Sequence, residues 1–483
     1  MPTLEDTAPP LKAQWRQVLL FESKTFRFVH SPMWFILFLV LNGCVSLPDL
    51  NTLRNGTQAR QRHTKLLSAE LSLPKNQMQE ISRNLPATSK RSPLQRHLSF
   101  LEALNGPPLI ANNSVHLLVD GPATFAAMFA TISRARKHIN LESYIIDDGA
   151  IGQQLADLLI EKRQQGVQIN IIYDSVGSIS TPIEFFDRLK ANRINVCEFN
   201  PVNPKKGRAW RINNRDHRKM LLVDGEIAFT GGINISGVYS TGSAGGGKNK
   251  LNNNRGWRDT YVQITGPVVA QFQHHFYQTW TRQCGTPLLP CNYFPALSVE
   301  GDKVIRVIAS SPDDALNLTY VALLSAIDQA EKRVYLTMGY FVPDPQTIAT
   351  LCAAARRGVD VKLLLPGFSD FPLVFHAGRS HYSELLRSGV KIFERRDAML
   401  HAKTAVIDGV WSSIGSTNMD WRSFLHNDEV NAVVLGEDFA TEMERMFEQD
   451  LKSAVEVDTT QWEARGPTMR FKEWGARIWE YWL

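Results

Sequence analysis

Two stretches of the chain decide its architecture: HRKMLLVDGEIAFTGGIN from His217 to Asn234 and HAKTAVIDGVWSSIGSTN from His401 to Asn418. Each reads H-x-K-x4-D, then six residues, then G-[GS]-x-N, and both the histidines and the asparagines stand 184 residues apart. Copies in such register imply internal duplication. After each histidine the chain is apolar and rich in β-branched residues, and it ends on Asp-Gly, a strong hairpin-turn signal. Side chains alternate along a strand, so His217 and Lys219 share one face while Asp224 takes the other, and the same parity holds for His401, Lys403 and Asp408. Each Asp is therefore suited to pinning its turn, although both are kept with the motif as candidate catalytic residues. The following strand returns Asn234, and Ser416 with Asn418, beside the histidines.

The repeat extends outward. ISRARKHINLESYIIDD (132–148), a helical stretch and GVQINIIYD (166–174) are echoed by AIDQAEKRVYLTMGYFVPD (326–344), another helix and GVDVKLLLP (358–366). Apolar runs alternate with helical patterns such as TIATLCAAARRG and RSHYSELLRSG. The predicted fold class is α/β, with two homologous halves, residues 108–300 and 301–460, each a mixed β-sheet flanked by helices, packed about a pseudo-twofold axis. A length of 483 residues and 43% hydrophobic content allow a sizeable core. The formal charge of +5 permits anionic partners without selecting one. Five cysteines are too few for a disulfide scaffold, and no C-x2-C pair or H-E-x-x-H helix calls for a metal. No cofactor is expected.

A duplicated His, Lys and Asn set suits a phosphodiester held where the halves meet. Lys219, Lys403, Asn234 and Asn418 supply donors for the nonbridging oxygens and for charge on a pentacoordinate transition state. One imidazole attacks phosphorus while the other protonates the leaving alcohol and later deprotonates the acceptor. A nucleophilic imidazole needs its second nitrogen held, usually by a carboxylate. Asp259 in GWRDTYVQITGP and Glu429 in HNDEVNAVV, on the strand following each motif, are the candidates for this orienting role.

These residues resemble the phospholipase D superfamily, whose paired H-x-K-x4-D motifs are matched in full. WRDTYVQITGPVV, YFVPD, RRGVDVKLLLPGFSD, ELLRSGVKIFE and HAKTAVIDGVWSSIGSTNMDWRSFLHNDEVN make the chain most similar to bacterial cardiolipin synthases, from about residue 110 to the C-terminus. The resemblance implies phosphatidyl transfer: a phosphatidyl group moves from phosphatidylglycerol onto a histidine, glycerol leaves, and a second phosphatidylglycerol attacks to give cardiolipin. It also favours the first motif as nucleophile, and the basic run from Lys205 to Lys219 suits an anionic donor approaching His217. Anionic phospholipids and a membrane surface are the expected partners, and no nucleic acid. Hydrolysis by a phospholipase D shares every one of these residues and is the alternative; a phosphodiesterase nuclease is a more distant one.

The N-terminus departs from the best-known cardiolipin synthases, which begin with two hydrophobic segments. Here one apolar run, about Met33 to Leu41, ends on Leu-Asn-Gly-Cys. It is short for a bilayer span and has signal-peptide proportions. Residues 1–44 resemble a lipoprotein signal in which Cys44 is lipidated, placing a membrane-anchored catalytic body in the periplasm. Residues 45–107 read as a polar, basic tether with short helical pieces, since nine Lys or Arg stand against two Glu between Asn51 and Phe100. At the other end, residues 461–483 read as an amphipathic helix. Phe471, Trp474, Ile478, Tyr481 and Trp482 share one face opposite Glu473, Arg477 and Glu480, a pattern suited to a bilayer interface. The Gly- and Asn-rich stretch 241–256 reads as a lid. Cys284 and Cys291 are close enough in sequence to pair, while Cys197 and Cys352 read as core.

Overall fold

The structure is a computed structural model that describes residues 46–58, 92–202, 213–245 and 256–483. Cys44 and the apolar run before it, most of the basic run 204–219 and most of the stretch 241–256 lie outside the described residues.

The first half contributes β1 (Ile110–Val119), β2 (His138–Ser143), β3 (Gln168–Asp174), β4 (Asn195–Phe199), β5 (Lys219–Val223), β6 (Ile227–Gly231) and β7 (Thr260–Thr265). The second contributes β8 (Lys303–Ser310), β9 (Arg333–Met338), β10 (Asp360–Pro366), β11 (Lys391–Arg395), β12 (Lys403–Ile407), β13 (Trp411–Gly415), β14 (Asn427–Leu435) and a final β15 (Ala454–Glu456). The order across the sheet is β4-β3-β2-β5-β6-β7-β1-β8-β14-β13-β12-β9-β10-β11-β15. Outward from the centre, each half therefore repeats one order with strand numbers raised by seven. β2, β3 and β4 run parallel, as do β9, β10 and β11, and the other pairings between these strands are antiparallel. The duplication is as the motifs predict, but β1 pairs with β8, so the two sheets join edge to edge into one. That closes the edge strand each half would otherwise expose.

Two layers of helix cover the sheet. The helices Val269–Gln283 and Glu437–Leu451 lie over the central strands, where Phe272, Phe276, Phe439 and Met443 share one core with residues of both halves. The helices Asp120–Arg134, Ala150–Gln164 and Ile183–Ala191 bury the other face of the first half. The stretch TIATLCAAARRG is helical as predicted, over Pro345–Arg356, because Asp344 caps it from the N-terminus by accepting from Gln346 N at 2.8 Å and Pro345 begins its first turn.

Several expectations need correction. Part of the 45–107 tether is docked: the helices Leu50–Gln58 and Pro93–Ala103 pack on the second-half helix Leu318–Gln329, through Arg54 to Asp328 at 2.6 Å and His97 Nδ1 to Ser325 Oγ at 3.0 Å. Burial of His97 and Leu101 makes the second helix part of the core despite its polar sequence. Cys284 pairs with Cys197, not Cys291, because the helix Val269–Gln283 crosses the sheet and ends over β4 with Cα atoms 5.5 Å apart. Cys291 is a free thiol beside His138, and Cys352 is buried as expected. The C-terminal segment is a helix over Pro467–Arg477 followed by a single 3-10 turn, Glu480–Trp482, rather than one continuous helix.

Candidate active site

Each motif folds as a β-hairpin. Asp224 and Gly225 both take positive φ, 56° and 72°, as do Asp408 and Gly409 at 53° and 69°, the backbone that a tight two-residue turn requires. The aspartates serve that end of the hairpin, far along the strand from the histidines. Asp224 accepts from the backbone N–H of Arg136, Lys137 and His138, and Asp408 from those of Glu331, Lys332 and Arg333. Expected among the catalytic residues, both carboxylates are instead consumed by the turn leading into β2 or β9. The alternation that separates Asp from His and Lys along the strand is the reason.

At the opposite end the histidines meet the carboxylates, and the pairing is crossed between halves. His217 Nδ1 lies 2.9 Å from Glu429 Oε1 and 3.2 Å from Oε2, whereas His401 Nδ1 lies 2.8 Å from Asp259 Oδ2. Two short parallel bridges produce this. Arg215–Asp216 pairs with Asn427–Asp428, so His217 N–H donates to Asp428 O and sits beside the next residue, Glu429. Met399–Leu400 pairs with Trp257–Arg258, so His401 N–H donates to Arg258 O and sits beside Asp259. Neither half can orient its own imidazole.

The remaining motif residues follow the same symmetry. Lys219 Nζ donates to His217 O at 2.6 Å, and Lys403 Nζ donates to His401 O and lies 2.9 Å from its Nδ1. Asn234 Oδ1 accepts from Ile145 N and Asn418 Oδ1 from Tyr340 N, each at 3.2 Å. Using the amide oxygen on the scaffold leaves the NH2 to donate elsewhere, and that of Asn234 gives one N–H to the Tyr239 hydroxyl at 3.2 Å and keeps the other for an anion. All six side chains are buried.

The two carboxylate positions differ. Ser416 donates its hydroxyl to Glu429, while the equivalent Gly232 leaves room for Asp259: a Cβ there would lie 2.2 Å from Asp259 Oδ1. Burial drives the Glu429 carboxyl up to about 7, against the pull of Lys219 and Ser416. Burial also pushes Asp259 up, but the hydrogen bond from His401 and the charge of Lys403 outweigh it and hold Asp259 below the ordinary carboxylate range. His217 is held well below the usual imidazole range, first by burial and then by Lys219, Lys403 and His401. His401 is lowered by burial and Lys403, with Asp259 opposing. Burial lowers Lys219 to about 7 and Lys403 to about 8.

Sequence reasoning missed the aromatic walls. Tyr144 stands 5.2 Å from the His217 ring, and Tyr239, Trp257 and Tyr340 stand 5.9, 5.2 and 5.8 Å from that of His401. Tyr239 also puts its hydroxyl 3.2 Å from His401 Nδ1 and accepts from Asn234 Nδ2. The recurrence of Tyr at the ends of LESY and LTMGY was a usable signal for Tyr144 and Tyr340. Among the described residues, no group of three or more His, Cys, Asp or Glu side chains is arranged to hold a metal ion.

A duplicated α/β sheet with a His, Lys and Asn set from each half around one centre defines the phospholipase D class of phosphodiester enzymes. Residues 128–280 and 323–451 match the family described as "Cardiolipin synthase, PLD-like domain". The chain is 36% identical over 399 residues to a cardiolipin synthase of Geobacillus kaustophilus, covering 81% of this chain and 78% of that one. It is also 36% identical over 394 residues to a cardiolipin synthase A of Pseudomonas fluorescens, covering 81% and 79%. Among solved structures, phosphatidylserine synthase of Haemophilus influenzae shares the fold, with a TM-score of 0.60 and 12% identity over 79% of this chain and 98% of that one. The chain belongs to the cardiolipin synthase family and is a phospholipase D-type phosphatidyltransferase.

Proposed function

We propose that this enzyme makes cardiolipin from two molecules of phosphatidylglycerol through a phosphatidyl adduct on His217. The observation that carries the assignment is the inequality of the two crossed pairs. His217, neutral and oriented by Glu429, has a lone pair on Nε2 for attack on phosphorus. His401, bonded to an anionic Asp259, is the better proton carrier.

In the first step His217 Nε2 forms a bond to phosphorus, the bond from phosphorus to the glycerol oxygen breaks, and His401 gives that oxygen its proton. The bound phosphodiester is itself an anion and favours the protonated forms of His401 and both lysines, so proton uptake accompanies substrate entry. Lys219, Lys403, Asn234 and Asn418 hold the nonbridging oxygens through the transition state. Free glycerol departs. In the second step His401 takes the proton from a hydroxyl of the second phosphatidylglycerol, the resulting oxygen attacks phosphorus, and the bond to His217 breaks. Atoms balance, and His401 ends protonated as it began.

Detergent-solubilised enzyme given phosphatidylglycerol alone tests this, with products identified by mass spectrometry. Cardiolipin and glycerol in equal amounts are expected. Phosphatidic acid without cardiolipin would instead make the enzyme a hydrolase.

We further propose that the catalytic body works on anionic phospholipid at the periplasmic side of a bacterial envelope, anchored through lipidated Cys44. The disulfide between Cys197 and Cys284 supports an oxidising compartment. Among the described residues no helix is long and apolar enough to cross a membrane.

A further inference from the structure

The C-terminal helix is packed against the rule that governs soluble proteins. Glu473, a charged residue, is turned inward and is 2% exposed, where it binds Arg465 at 2.8 Å. Phe471, Trp474 and Ile478 are turned outward and are 69%, 62% and 63% exposed, and Trp479 follows them. A helix that spends an ion pair to bury its acid and leaves its aromatic residues in water has its apolar face reserved for something else.

The face continues onto a second element. Phe371 and Leu373, at the start of the helix Pro372–Arg379, are also exposed, and this helix packs directly on the C-terminal one. Between the aromatic residues stand exposed Arg470, Lys472 and Arg477, while the one acid of this helix, Glu473, is buried. The outward surface of this helix is thus aromatic and cationic; of the acids at its margins, Glu480 is engaged by His381 and Arg477 and Asp370 accepts from the Tyr340 hydroxyl, and this balance fits the interface of an anionic bilayer better than a protein groove.

The same packing reaches the reaction centre. Beneath the two helices, Val342, Val374, Ala377, Ala476 and Leu483 form a small core against which Tyr340 and Trp421 pack. Tyr340 is the aromatic wall beside His401, and its hydroxyl donates to Asp370, the residue before Phe371. An element pressed into lipid at Phe371 and Trp474 is therefore joined by one layer of side chains to the imidazole that handles the acceptor.

We propose that the helix Pro467–Arg477, the turn after it and the segment at Phe371–Leu373 form a docking face for an anionic phospholipid bilayer, which holds the second-half side of the active site at the membrane surface. The proposal rests on the phosphatidyltransferase reading for its purpose but is measured independently of it. Full-length protein carrying an environment-sensitive fluorophore at Phe471→Cys is reconstituted with vesicles of phosphatidylglycerol or phosphatidylcholine containing brominated acyl chains. Blue shift and quenching in phosphatidylglycerol vesicles, several-fold weaker in phosphatidylcholine, are expected. Trp474→Glu with Ile478→Glu should abolish the quenching and lower turnover of vesicular phosphatidylglycerol by about a hundredfold, roughly tenfold for each apolar side chain lost. The same variant should keep wild-type turnover of a short-chain, monomeric phosphatidylglycerol, which separates loss of docking from loss of fold. An unquenched, water-exposed label in anionic vesicles overturns the proposal, and so does a dimer of the native protein that the double variant dissolves, since that would put a second copy on the face. Quenching by a protein that turns over no phosphatidylglycerol would leave the docking face standing and remove the activity instead.

Discussion

The crossed pairing makes a prediction that an uncrossed site would reverse. In Glu429→Gln the carboxylate that holds His217 becomes a neutral amide of the same shape. Ser416 donates its hydroxyl to Oε2, so an amide oxygen kept on that bond puts the NH2 in the place of Oε1, beside His217 Nδ1 and Asn427 Nδ2. The amide NH2 is then left facing His217 Nδ1, which must accept, and the ring proton moves to Nε2. A buried charge-assisted hydrogen bond is worth about 1.5–3 kcal/mol. With the wrong tautomer added, the loss in adduct formation should reach about 10³- to 10⁴-fold, or roughly 4–5.5 kcal/mol. Asp259→Asn carries a like penalty at His401, because Thr260 N–H holds the amide oxygen at the Oδ1 position and turns the NH2 toward His401 Nδ1, so complete turnover should fall by about 10³- to 10⁴-fold while attack by His217 is untouched. The assay is rapid mixing with a phosphatidyl ester of p-nitrophenol, whose leaving group needs no proton, followed by acid-free quenching and intact mass measurement. Asp259→Asn should form the adduct on His217 and Glu429→Gln should not. Adduct formation lost in Asp259→Asn and retained in Glu429→Gln would mean that each carboxylate serves its own half, and the reasoning would fail.

Other outcomes follow from the same geometry. His217→Ala and His401→Ala should each remove nearly all steady-state synthesis and the double variant little more, because the two act as one unit; near-normal activity in either single variant would contradict a composite site. Second-order rate constants should fall as pH rises through about 7 to 8, since Lys219 and Lys403 lose the charge that attracts the phosphodiester in that window, and an alkaline limb displaced above pH 10 in a pH-rate profile would refute it. Lysines and amides already meet the charge on phosphorus, so a chelator should leave turnover of detergent-dispersed lipid intact; loss restored by one specific metal would count against this site. His97 is lowered to about 3, by burial and then by Arg306. Below pH 6.5 the unfolded chain takes up a proton there that the folded chain refuses, so stability is lost as pH falls. Moving from pH 7 to 5, His97→Gln should gain about 2 kcal/mol relative to the wild-type chain, measurable as converging unfolding midpoints.

The halves, their hairpins and the histidines, lysines and asparagines were legible in the sequence because each depends on local rules. Strand alternation assigned His217 and Lys219 to one face and Asp224 to the other, and Asp-Gly marked both turns. Duplication then doubled the signal. The orienting carboxylates were also visible as candidates, since Asp259 stands just before, and Glu429 near the start of, the apolar strand after each motif. Which histidine each one holds was not, because the bridges Arg215–Asp216 to Asn427–Asp428 and Met399–Leu400 to Trp257–Arg258 join segments some 140 to 210 residues apart, and no local pattern encodes such a pairing. The same holds for Cys197 with Cys284, where proximity in sequence pointed to Cys291, and for Glu473, whose inward turn follows from Arg465 and the packed helix Pro372–Arg379. Local periodicity reports which residues share a face; only the assembled chain decides what that face meets, because burial and ion pairing depend on neighbours that folding brings from elsewhere in the sequence.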